Sequence, residues 1–165
     1  MHVLRYTAML FIASALVLSA QTSPLTTEQR AQFHGPYSQP EEPFRLIGNI
    51  YYVGAKNIAS YLVVTPQGSI LIDTGTIEMT PVITANVEKL GFKMRDIKIM
   101  LSSHAHFDHI GGHAAMKKLT GARVMAIKQD ADALGAGKDL SPLGDEGWPA
   151  VKVDRVPSRA TAIEG

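Results

Sequence analysis

An α/β sandwich is the fold class this sequence predicts, and three observations predict it. Two β-hairpins come first, strand–helix alternation follows them, and 45% of the 165 residues are hydrophobic, enough to fill the core of one domain. Phe44–Ile47 and Ile50–Val53 are β-rich runs joined by Gly48-Asn49, a two-residue hairpin signal. Ser60–Thr65 and Ser69–Asp73 form the second hairpin around Pro66-Gln67-Gly68, which supplies turn chemistry. The unbroken apolar stretch Ile70-Leu71-Ile72 predicts a strand buried on both faces.

From residue 80 the hydrophobic period lengthens. Thr80 is placed to cap a helix that begins with Pro81; Val82, Ile83, Val87 and Leu90 recur at helical spacing, and Gly91 ends it. Ile97–Leu101 reads as another apolar strand. A helix is expected from about Gly112 to Leu119, with Gly121 after it, then a short strand from Arg123 to Ile127. Gln129–Leu134 predicts a last helix closed by Gly135. The stretch from Gly135 to Pro149 reads as glycine-rich loop, and Val151–Val156 alternates as an edge strand. This pattern leaves the strand order open.

Residues 1–20 read as a signal peptide: Arg5 is the basic start, Ala8–Leu18 is the apolar run, and Leu18-Ser19-Ala20 offers small residues for cleavage before Gln21. As a helix that run would rise only about 16 Å, roughly half a bilayer core, so no stable membrane anchor is expected and export to the periplasm is. Residues 21–43 carry Pro24, Pro36, Pro40 and Pro43 with little periodicity and read as an extended N-terminal arm. Residues 44–165 hold the domain. Sixteen basic against 15 acidic residues give no electrostatic case for nucleic acid. There is no cysteine, which excludes disulfides, thiolate metal sites, cysteine nucleophiles and a lipoprotein anchor. Any metal must be held by nitrogen and oxygen.

The sequence becomes specific at Ser103-His104-Ala105-His106-Phe107-Asp108-His109-Ile110-Gly111-Gly112. Four of the six histidines, His104, His106, His109 and His113, fall in this stretch or just beyond it. At the end of a strand, residues two apart point the same way, so His104 and His106 can present imidazoles to one ion. Asp108 and His109 follow where the chain turns toward a helix and can aim at a second ion nearby. Imidazole and carboxylate suit zinc, ahead of iron or manganese. Gly111 and Gly112 let the backbone turn closely behind the metals. His113 and His34 do not fit the ligand spacing and read as packed or solvated side chains. Asp73 ends a buried strand and needs a partner, either as a loop cap or as an acceptor for a metal-bound imidazole. Phe107, Tyr51 and Tyr52 read as packing residues, and the pattern assigns Trp148 no role.

The segment SHAHFDHIGG, preceded by PFRLIGNIYYVG and SYLVVTPQGSILIDTG, resembles the metallo-β-lactamase superfamily, and within it the secreted subclass B3 metallo-β-lactamases. The resemblance runs from about Pro43 to Val156. It implies an αβ/βα sandwich of which this chain supplies mainly the N-terminal half. It also implies two Zn²⁺ ions, with His104 and His106 on the first and Asp108 and His109 on the second. The implied activity is hydrolysis of a β-lactam amide bond by a metal-bound hydroxide, with Asp108 catalytic in positioning the nucleophile, and hence antibiotic resistance. A small-molecule β-lactam is the implied substrate. The family takes one further histidine for each zinc from its second half, and no histidine follows His113. This stretch is therefore expected to be the N-terminal part of a longer protein, inactive alone, with its inner sheet face uncovered. Two other readings use the same residues: a glyoxalase II-like thioesterase or lactonase, and a non-catalytic periplasmic zinc-binding module.

Overall fold

The computed structural model describes residues 26–138 and 147–157; the expected signal peptide lies outside them. Six strands form one sheet in sequence order: β1 (Phe44–Ile47), β2 (Ile50–Tyr52), β3 (Tyr61–Val63), β4 (Ser69–Ile72), β5 (Ile97–Leu101) and β6 (Arg123–Met125). The first four pair antiparallel through the two expected hairpins, with Ile47 opposite Ile50 and Val63 opposite Ile70. Gly48 takes the left-handed conformation at φ 54°, as the tight first turn requires. β4, β5 and β6 pair in parallel, so each connection crosses over through a helix.

Those crossovers are α2 (Thr80–Lys89) and α4 (His113–Thr120), with the single turn α3 (Phe107–Ile110) between β5 and α4 and a last helix α5 (Lys128–Ala136). Ile83 and Val87 of α2 and Met116 of α4 are fully buried in one core with Leu62, Leu71, Met100 and Val124 of the sheet. On this face, burying each such side chain is worth about 1.5–3 kcal/mol. Ile70 and Ile72 are only half-buried, whereas their neighbour Leu71 is sealed. The two-sided burial expected of β4 is thus corrected to one sealed face and one partly covered face.

Four other expectations change, each for a local reason. The arm expected to be extended contains a helix, α1 (Thr27–His34), because Thr26 and Gln29 form a capping box. Thr80 does not cap α2: a 3-10 turn over Ile77–Met79 runs straight into the helix, and Thr80 is its first residue. α5 runs through Gly135 and closes at Gly137, which adopts φ 63°. Residues 151–156 form no strand. Only Arg155 bridges to Met125, and the Asp154 carboxylate accepts the Val124 N–H at 2.8 Å that a ladder partner would otherwise take. Among the described residues, no helix is long and apolar enough to cross a membrane.

Candidate metal centre

The parallel strands set the site. β4 and β5 lie side by side, and both end at the same edge of the sheet, Ile72 opposite Leu101. The next residue of the first strand, Asp73, therefore meets the loop that follows the second. Asp73 holds φ 59°, a left-handed conformation that costs most side chains about 1–2 kcal/mol and that Asp tolerates best with Asn. Its N–H still donates to the Leu101 carbonyl at 2.9 Å. The carboxylate, nearly buried, accepts the Ser103 N–H at 2.8 Å, the Ser103 hydroxyl at 2.9 Å and His109 Nδ1–H at 2.9 Å. Burial opposes ionisation of Asp73, but the bonds from His109 and Ser103 outweigh it and hold its pKa below the ordinary carboxylate value.

An ionised Asp73 fixes the imidazole tautomers. A carboxylate can only accept, so His109 carries its proton on Nδ1 and keeps the Nε2 lone pair for an ion. The bond to Asp73 also raises the His109 pKa, against the opposing effect of burial. Ser103 Oγ, having donated to Asp73, lies 3.1 Å from His104 Nδ1 and can accept that proton, which frees His104 Nε2. His104 Nε2 stands 3.0 Å from His106 Nδ1. Two imidazole nitrogens sharing one tetrahedral zinc at 2.0–2.1 Å would be about 3.3 Å apart, so this pair fits one ion through Nε2 of His104 and Nδ1 of His106. Burial, then the neighbouring His109 and His106, hold the His104 pKa below its ordinary value, which keeps the ring neutral and able to ligate.

Asp108 and His109 stand on α3, whose first turn is anchored by the His106 carbonyl accepting the N–H of both His109 and Ile110. Asp108 Oδ2 lies 3.7 Å from His109 Nε2, so this second pair also faces one point. The His104 and His109 rings are 4.0 Å apart between centroids, which sets the two pairs side by side. Among the described residues, no group of three or more His, Asp or Glu side chains gathers around one ion position. Each pair offers two donors.

All five residues singled out from the sequence thus meet at one sheet edge. Asp73 fills both roles read for it, capping the loop through Ser103 and accepting from the His109 imidazole. His34 and His113 are packed inside the protein, apart from the donor pairs. His113 is fully buried on Thr74 Oγ1, 2.7 Å from its Nδ1, and burial lowers its pKa to about 4. Sequence reasoning assigned no role to Ser103 or Thr74. Thr74 donates its N–H to the His109 carbonyl at 2.7 Å, and its place directly after Asp73 at a strand end was the available signal. A Cβ on Gly112 would stand 2.7 Å from the Thr74 carbonyl, so the glycine allows this close approach.

Comparison with known proteins identifies the family. The family described as the metallo-beta-lactamase superfamily matches residues 53–164. Among solved structures, the chain is similar to a metallo-β-lactamase of Cronobacter sakazakii described by a HARLDQ motif. The identity is 41% and the TM-score 0.73, over 76% of this chain and 49% of that one. It is also similar to BJP-1, a subclass B3 metallo-β-lactamase of Bradyrhizobium japonicum, at 48% identity and TM-score 0.69 over 74% of this chain and 47% of that one. A curated hydroxyacylglutathione hydrolase of Rhodopseudomonas palustris is 40% identical over 80 residues, 48% of this chain and 29% of that protein. The chain spans about half the length of the solved relatives and under a third of the curated one.

Proposed function

The chain belongs to the metallo-β-lactamase superfamily of hydrolases, with the N-terminal portion of that fold, and from that premise we propose that the whole protein hydrolyses the amide bond of β-lactams with two zinc ions. The observation that carries the substrate choice is the reach of the likeness. Solved metallo-β-lactamases, one of them of subclass B3, match about three quarters of the chain at up to 48% identity, whereas the thioester hydrolase matches less than half.

The donor set fits zinc: imidazoles and a carboxylate, with a His104–His106 nitrogen separation suited to a tetrahedral ion. Zinc, when bound, supplies an activated water and polarises the carbonyl to be attacked. His104 and His106 would hold one ion, and Asp108 and His109 the other. Asp73 and Ser103 keep the ring protons on Nδ1 of His109 and His104, so both Nε2 atoms stay available through turnover. The Asp108 side chain is 34% exposed, placing its carboxylate where it can orient the attacking water. We further propose export to the periplasm through residues 1–20, where such an enzyme would confer antibiotic resistance. Intact mass would then begin near Gln21; Met1 retained on cytosolic protein would refute export.

The curated relatives favour a second reading, a glutathione thioester hydrolase on the same ligands. A side-by-side assay of the whole protein separates the two. Turnover of a chromogenic cephalosporin, lost to a chelator and restored by zinc, supports the lactamase. Rapid turnover of a hydroxyacyl-glutathione with an inert cephalosporin establishes the thioesterase instead.

A further inference from the structure

We propose that His34, locked by Glu78, is a positioning residue for the metal loop and acts through Phe107; the proposal rests on the zinc reading of His104–His109. α1 is a peripheral helix of two turns, yet the residue it buries is an imidazole. His34 is 1% exposed, whereas Phe33 beside it is 51% exposed. Packing alone would favour the opposite choice, because burying an imidazole is costly unless its nitrogen is bonded.

The bond comes from the 3-10 turn. His34 Nδ1 lies 2.7 Å from Glu78 Oε2, and Glu78 belongs to the Ile77–Met79 turn behind the site. That turn packs closely against the loop: a Cβ on Gly111 would stand 3.0 Å from the Ile77 nitrogen, so the two touch backbone to backbone. With one edge held, the His34 ring lies flat on Phe107, 5.0 Å between centroids at an interplanar angle of 13°. Phe107 stands between the two donor pairs, after His106 and before Asp108. Its backbone sets the angle between them, so a ring clamped from α1 limits how far one pair can swing from the other. Residue 34 is far from the motif in sequence, and α1 brings it there.

Cobalt(II) titration of the whole protein tests this brace, read by the ligand-field absorption bands and by affinity, alongside the thermal midpoint of the metal-free protein. His34→Ala and Glu78→Ala should each weaken cobalt binding about tenfold and shift the bands, as loss of groups that orient ligands does. The double variant should be no worse than either single one, because both remove the same brace. Glu78→Gln, which keeps an acceptor for His34 Nδ1–H, should restore affinity. If His34→Ala does not fold, Glu78→Ala carries the test, since that side chain is 26% exposed and leaves no core cavity. A lowered thermal midpoint with unchanged affinity and bands would overturn the brace while leaving the metal site intact. Failure of the unaltered protein to bind cobalt would remove the site reading and the brace together.

Discussion

His109 and Phe107 share one helical turn, yet the protein holds them by different physics. Beneath His109 lies a bed of directional hydrogen bonds: Asp73 on the ring, Thr74 on the carbonyl, and Ser103 between the ring and its neighbour. Against Phe107 lie aromatic faces, His34 at 5.0 Å and Phe33 at 6.2 Å. Hydrogen bonds to a carboxylate fix both the orientation and the tautomer of a ligand. Stacking fixes a plane and leaves rotation within it softer. On the proposed zinc reading, the bed contributes most to holding an ion, and the aromatic side contributes less, through the angle between the donor pairs.

The largest expected effect lies in the bed. Asp73→Ala should lower zinc affinity about 10- to 100-fold, as loss of a group orienting a metal ligand does. It should also cost about 1–2 kcal/mol of folding stability, because Ala at φ 59° is strained. Asp73→Asn tolerates that backbone and should lose affinity without the strain. Calorimetric zinc titration beside denaturant unfolding separates the two, and unaltered affinity in both variants would mean the bed does not serve the metal.

Next in size is a pH effect from His113, also part of the bed. Its folded pKa is about 4 against an ordinary 6.5, so the unfolded chain takes up the proton first. Its contribution is fully present above pH 6.5 and is lost as pH falls toward 4, about 3 kcal/mol in all. Denaturant midpoints of the metal-free protein measured across that range should fall accordingly. His113→Gln should flatten the slope; an equal slope in the variant would assign the loss to other groups.

On the aromatic side the effects are smaller. Thr26→Ala removes the capping box of α1 and should cost about 1 kcal/mol locally, speeding amide exchange in Thr27–His34 about fivefold. Exchange unchanged there would show that docking, not the cap, holds the helix. Smallest is Lys89→Ala at the exposed Lys89–Glu42 pair, remote from both regions, where unfolding should shift by less than about 1 kcal/mol.

The same contrast explains what the sequence revealed. The gathering of His104, His106, Asp108 and His109 was legible because their spacing follows from strand and turn geometry over six residues. Asp73 was legible because a carboxylate ending an apolar strand needs a partner. The hairpins were legible from Gly48 and Gly68, whose conformations are local. The aromatic side was not. Pro24, Pro36, Pro40 and Pro43 masked the capping box at Thr26, and the pairing of His34 with Glu78 spans 44 positions that no local rule connects. Thr80 misled for a related reason: a capping residue caps only if the chain before it is not already turning.

The central claim, two donor pairs for two ions, is tested most directly by the zinc content of the whole protein, measured by elemental mass spectrometry after exhaustive dialysis. The unaltered protein should carry two zinc ions, and the Asp108→Ala/His109→Ala double variant should carry one, held by His104 and His106. A single ion in the unaltered protein, or an undiminished count in the double variant, would contradict it.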